Sequence, residues 1–124
     1  MEIFLKFSGP SPLAEMVEYN PDSEPLFEFL RREIDCMYIE TVNFPGLPDW
    51  LLGIVDDEGL YRRPKEQNAI GTLLYGGMIV GPLIIGSRGF RDGEPDLVGF
   101  GDMLEARKAY NTIFKAVFGG EANA

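Results

Sequence analysis

Met37-Tyr38-Ile39-Glu40-Thr41-Val42-Asn43-Phe44 and, six residues later, Trp50-Leu51-Leu52-Gly53-Ile54-Val55 are the stretches on which the fold turns. The first alternates, with Tyr38, Val42 and Phe44 on one side and Met37 and Ile39 on the other, which is the period of a strand. Pro45-Gly46-Leu47-Pro48 interrupts it, and the second run reads as another strand. Asp56-Asp57-Glu58-Gly59 follows as a polar turn, and Leu60-Tyr61 begins a return strand, so 50–63 is expected to form a hairpin.

Working outward, Glu2 to Phe7 reads as a first strand closed by Ser8-Gly9-Pro10-Ser11-Pro12, and Ala14 to Tyr19 as a second with Val17 and Tyr19 on one face. Leu26, Phe27, Leu30 and Ile34 recur at helical spacing, which predicts an amphipathic helix over 24–35. Asp22 or Ser23 can cap it, with Pro25 in its first turn. Asn68 to Gly71 reads as a bend, Thr72 to Tyr75 and Met78 to Ile85 as buried strands, and 86–101 as a glycine-rich loop. The last element is a helix over 102–118. Asp102 and Glu105 resemble a capping box there, Ala106, Tyr110, Ile113, Phe114 and Val117 form the stripe, and Gly119-Gly120 makes the stop. The expected class is α+β, a small antiparallel β-sheet or partly open barrel with two helices.

The whole chain, 124 residues, is expected to be one domain with a single modest core. It contains no histidine and one cysteine, which excludes a Ser-His-Asp or Cys-His catalytic unit, an internal disulfide and a Cys/His zinc site. Cys36, between a helix and a strand, reads as a small buried hydrophobe. Asp56-Asp57-Glu58-Gly59 lacks the alternating carboxylates of a calcium loop, and the glycines at 76, 77, 81 and 86 match no phosphate-loop signature. No cofactor or metal is expected. Carboxylates alone remain the one route to catalysis, so an enzyme is disfavoured. The start of the chain lacks a signal-peptide pattern, and the longest apolar run, Met78 to Ile85, is too short for a membrane span, so a cytoplasmic protein is expected.

Charge is unevenly spread. The net charge is −9, but residues 1–58 carry 13 acids and 3 bases while residues 59–124 carry 7 acids and 8 bases. The overall sign disfavours direct nucleic-acid binding. The basic second half carries Tyr61-Arg62-Arg63, Arg88-Gly89-Phe90-Arg91 and Arg107, which combine guanidinium groups with aromatic faces. Guanidinium can clamp a phosphate and an aromatic ring can stack a base. Tyr61, Arg62, Arg63, Arg88, Phe90, Arg91 and Arg107 are therefore the candidate binding residues for a small anionic nucleotide; the plain alternative is a set of solubilising surface charges. The acidic first half offers a second reading, in which Glu15, Glu18, Asp22, Glu24 and Glu28 dock on a basic host protein. A homodimer or higher homo-oligomer is also compatible with so small a core.

From residue 26 to 85, the run Tyr38-Ile39-Glu40, the turn Asp57-Glu58-Gly59, Asn68 and Gly76-Gly77-Met78-Ile79-Val80-Gly81 resemble a family of small domains of unknown function common in bacteriophage and plasmid genomes. The segment 24–86 would be the family-like core, with 1–23 a strand region peculiar to this chain and 87–124 a loop and terminal helix. Pro82 departs from the acidic residue more usual there. The resemblance carries no catalytic residues over. It implies a phage or mobile-element protein in a host bacterial cytoplasm, and by analogy of origin an anti-defence role such as sequestering a nucleotide signal.

Overall fold

A computed structural model describes residues 1–58 and 66–119. Six strands and three helices follow one another as β1 (Glu2–Phe7), β2 (Glu15–Tyr19), α1 (Leu26–Ile34), β3 (Ile39–Val42), β4 (Leu51–Asp56), α2 (Ala69–Tyr75), β5 (Leu83–Arg91), β6 (Glu94–Val98) and α3 (Met103–Phe118). The class is α+β, as the alternation of strand and helix periods predicts. All strands pair antiparallel in one open sheet of order β2-β1-β5-β4-β3, with β6 added on β5.

β5 is the central strand. One edge pairs β4 over 84–87; the other pairs β1 at Leu83–Ile85 and then β6 over 87–91. Just past β6, Phe100 exchanges backbone hydrogen bonds of 2.9 and 2.7 Å with Ile3, so the incoming hairpin continues along β1.

Alternation along each strand sends side chains to two faces. On one, Phe4, Tyr19, Phe29, Leu30, Ile34, Ile54 and Ile84 form a core beneath α1, and Cys36 is half-buried against it. On the other, Leu5, Phe7, Leu51, Leu83 and Ile85 meet Ile70 and Leu74 of α2 and Ala106, Ala109 and Ile113 of α3. The molecule is thus a sheet with α1 on one side and α2 and α3 on the other.

Several expectations change. Among the described residues the helices number three. Residues 72–75, expected as strand, belong to α2, because Asn68 caps it: its Oδ1 accepts from the Gly71 amide at 2.8 Å, and Gly76, with φ 80°, ends the helix. The expected loop over 86–101 is the second half of β5 and all of β6. Asp92 (φ 53°) and Gly93 (φ 83°) join them, two left-handed residues in succession as in a type I′ hairpin turn. The strand expected over 78–85 begins only at Leu83. β4 pairs with β3 and β5, and the return strand of the expected 50–63 hairpin lies outside the described residues.

At α1, neither Asp22 nor Ser23 caps the helix. Pro25 holds the N-cap position with φ −64°, and Asn20 instead closes a turn on the Asp22 and Ser23 amides. Phe29, not Phe27, faces inward; Phe27 lies near the helix boundary under the Arg31 guanidinium, 5.4 Å from the ring centroid. Tyr38 precedes β3 and is exposed. The cap of α3 is as expected at Asp102, whose Oδ1 accepts from the Glu105 amide at 2.8 Å. Glu105 returns its carboxylate to the Gly101 amide, one residue before the position a capping box uses.

Candidate functional site

α1 covers only part of its face of the sheet. Beyond it the strands stay open, and two adjoining depressions of about 330 and 260 Å³ share Thr41, Asp96 and Leu97. The larger is floored by Leu52 and Gly89 and edged by Arg88 and Pro95; the smaller runs under Phe27, Leu26 and Leu30. Together they form a groove with apolar walls, one cation and one carboxylate, the composition of a small-molecule site.

Arg88 is exposed on β5 and braced from below. Its Nε donates to the Asp49 carbonyl at 2.6 Å, and Nη2 donates to Asn43 Oδ1. Its backbone amide donates to the Trp50 carbonyl at 2.9 Å, which sets the half-exposed Trp50 beside it. Neutral acceptors therefore orient the guanidinium, and among the described residues no carboxylate forms an ion pair with it. Its remaining N–H groups and its full charge are available to an anion. Phe90, two residues on, projects to the same face and is 74% exposed, the most exposed aromatic ring of the described chain.

Arg91 is placed differently. It forms a two-pronged ion pair with Glu2 at 2.8 and 2.9 Å, donates to the Leu97 carbonyl at 3.0 Å and to Asp96 Oδ2 at 3.3 Å, and lies 5.7 Å from the Tyr19 ring centroid. Its hydrogen bonds to Glu2 raise its pKa above the ordinary arginine value. Burial pushes the Glu2 carboxyl up, but the Arg91 hydrogen bonds and the Gly99 amide outweigh burial and hold it below the usual glutamate range. Arg91 thus joins β1 to the β5–β6 hairpin. Arg107 lies exposed on α3, and the sheet stands between it and the groove. Tyr61, Arg62 and Arg63 lie outside the described residues. Of the candidate binding residues, the structure brings Arg88 and Phe90 together on one face.

Sequence reasoning did not assign Thr41, Asn43, Trp50 and Phe27 to a site. Asn43 and Trp50 carried a usable signal, since each falls beside a Pro/Gly break, where a strand end opens to solvent. The pairing of Asp96 with Arg91 could not be read before the Asp92-Gly93 turn folded the two strands together.

A cavity of about 240 Å³ at the far end of α1 is edged by Asp35 and Glu66, two acids that would repel phosphate. Asn68, fully buried, donates through Nδ2 to the Phe7 and Gly81 carbonyls at 2.8 and 3.0 Å and serves the architecture. Of the acidic docking set, Glu24 and Glu28 are engaged by Arg32 and Arg31, while Glu15, Glu18 and Asp22 stand exposed. Among the described residues no group of three acidic or cysteine side chains could hold a metal, and no helix is long and apolar enough to cross a membrane.

The fold and groove define a small α+β protein with an open antiparallel sheet, part of one sheet face left uncovered. No known protein family, curated protein or solved structure matches the chain.

Proposed function

We propose that this chain is a non-enzymatic binding protein that sequesters a small nucleotide in the groove beside α1. The carrying observation is Arg88: a guanidinium held by the Asp49 carbonyl and Asn43, edging a groove, without an ion-pair partner among the described residues. A phosphate group supplies what that cation lacks, and Phe90, Trp50 and Phe27 offer ring faces for a base. Among the described lining residues there is no histidine, cysteine or lysine, side chains much used as nucleophile or general base, which favours holding a ligand over converting it. The resemblance to phage and plasmid domains supplies the setting, in which the protein removes a host defence signal from circulation.

The purified protein is incubated with extract from phage-challenged, defence-carrying bacteria, then denatured, and the released small molecules are measured by mass spectrometry. An intact nucleotide in stoichiometric amount from the wild type, and none from folded Arg88→Ala, supports the reading. A chemically altered nucleotide turns it toward an enzyme. Folded wild-type protein that releases no nucleotide refutes it and moves the function to a protein partner.

A further inference from the structure

Resting on that reading, we propose that the groove selects guanine over adenine, with Asp96 taking the edge of the base and Arg88 the phosphate. Asp96 is the one charged residue among the three that line both depressions. That carboxylate is oriented from behind: Oδ1 accepts from the Leu97 amide at 2.8 Å, and Oδ2 lies 3.3 Å from Arg91 Nε. Each oxygen keeps a further lone pair, and the side chain is 43% exposed.

A carboxylate held in this way accepts two parallel N–H groups. Guanine presents such a pair, N1–H and one hydrogen of the 2-amino group. Adenine presents an N1 lone pair at the same place, which the carboxylate repels. Arg91, shared with Glu2, offsets part of the charge of Asp96, and the cation that a phosphate meets on the same groove is Arg88. Phe27 supplies a stacking surface in the smaller depression: its outer side lies under Arg31, and its ring edges the groove. The groove thus holds contacts for the base and for the phosphate of a guanine mononucleotide, and adenine cannot satisfy the first.

The test is calorimetric titration of the protein with GMP, IMP and AMP at low salt. GMP is expected to bind at least about tenfold more tightly than AMP, the scale of discrimination by one bidentate base-edge contact. IMP, which keeps N1–H and lacks the 2-amino group, falls between them. Asp96→Asn brings GMP down to the AMP level, whereas Arg88→Ala weakens all three alike. Because Asp96→Asn also alters a contact to Arg91, the IMP series with wild-type protein stands as the measurement that needs no variant. Equal affinity for GMP and AMP, or IMP no tighter than AMP, overturns the guanine inference while leaving nucleotide binding in place. Failure of all three to bind overturns both.

Discussion

Replacing Arg91 with alanine should be among the most damaging single changes outside the apolar core, and Glu2→Gln should reproduce much of the loss. The wild-type pair is bidentate, at 2.8 and 2.9 Å, with side chains only 22% and 19% exposed. Arg91→Ala leaves the Glu2 carboxylate with the Gly99 amide as its remaining hydrogen-bond donor and strips one donor from the Leu97 carbonyl. Breaking a fully buried pair costs about 3–5 kcal/mol; discounting for the exposed fifth gives ~2–3 kcal/mol here. At ~2.1 cal/mol/K of unfolding entropy per residue, this corresponds to a midpoint roughly 8–11 °C lower for a chain of this length.

Urea denaturation of the wild type, Arg91→Ala, Glu2→Gln and the double variant measures it, with an unchanged slope as the sign that only stability moved. The double-mutant coupling should reach about 1–2 kcal/mol. pH supplies a second arm. The Glu2 pKa is lowered by folding, so its contribution is fully present above the unfolded value of about 4.3 and is lost as pH falls through the folded value. Wild type should therefore lose its advantage over Glu2→Gln in that acid range. Coupling below about 0.3 kcal/mol, or acid limbs that run parallel, would refute the assignment of Arg91 as a structural clamp.

Asn68→Ala should cost about 3–4 kcal/mol in the same assay, since it orphans the buried Phe7 and Gly81 carbonyls and the Gly71 amide at once. Gly86→Ala should destabilise by about 1–3 kcal/mol, because the added methyl would lie 2.7 Å from the Phe4 ring and 2.8 Å from the Val98 carbonyl; a thermal midpoint equal to wild type would contradict that packing. Asp102→Ala should cost ~1 kcal/mol through loss of the α3 cap, and amide hydrogen exchange should quicken at Glu105 while the sheet amides stay protected.

The parts legible in the sequence are those whose local period agrees with their final burial. Glu15–Tyr19 and the α3 stripe read correctly because one face of each is buried and the other is not, whereas Glu2–Phe7, buried on both faces, was marked by the Ser8-Gly9-Pro10 break that ends it. α2 was hidden: Thr72 and Tyr75 favour strands, and its seven residues are too few to show a helical period, so the deciding signals were Asn68 before it and Gly76 after it. The β5–β6 hairpin was hidden by its glycines. Gly86, Gly89 and Gly99 are close-packing sites in the sheet, where a Cβ would meet Phe4, Val98 or Glu2, and their density imitates a loop. Asp92-Gly93 was the available hairpin signal. The site was half legible. Arg88 and Phe90 share a strand face by simple alternation, whereas Arg91 looked equivalent to Arg88 until its partner, 89 residues away, came into view.

The position of β5 between β1 and β4 also dictates an order of events when the chain folds. Residues 1–56 contain two strand pairs, β1 with β2 and β3 with β4, that can close early but share no edge with each other. They become one sheet only when Leu83–Ser87 inserts between them, closing loops of more than seventy residues to β1 and about thirty to β4. Such distant pairings place the rate-limiting step late and slow it. Until β5 arrives, the inner edges of both pairs lie open to any other extended chain.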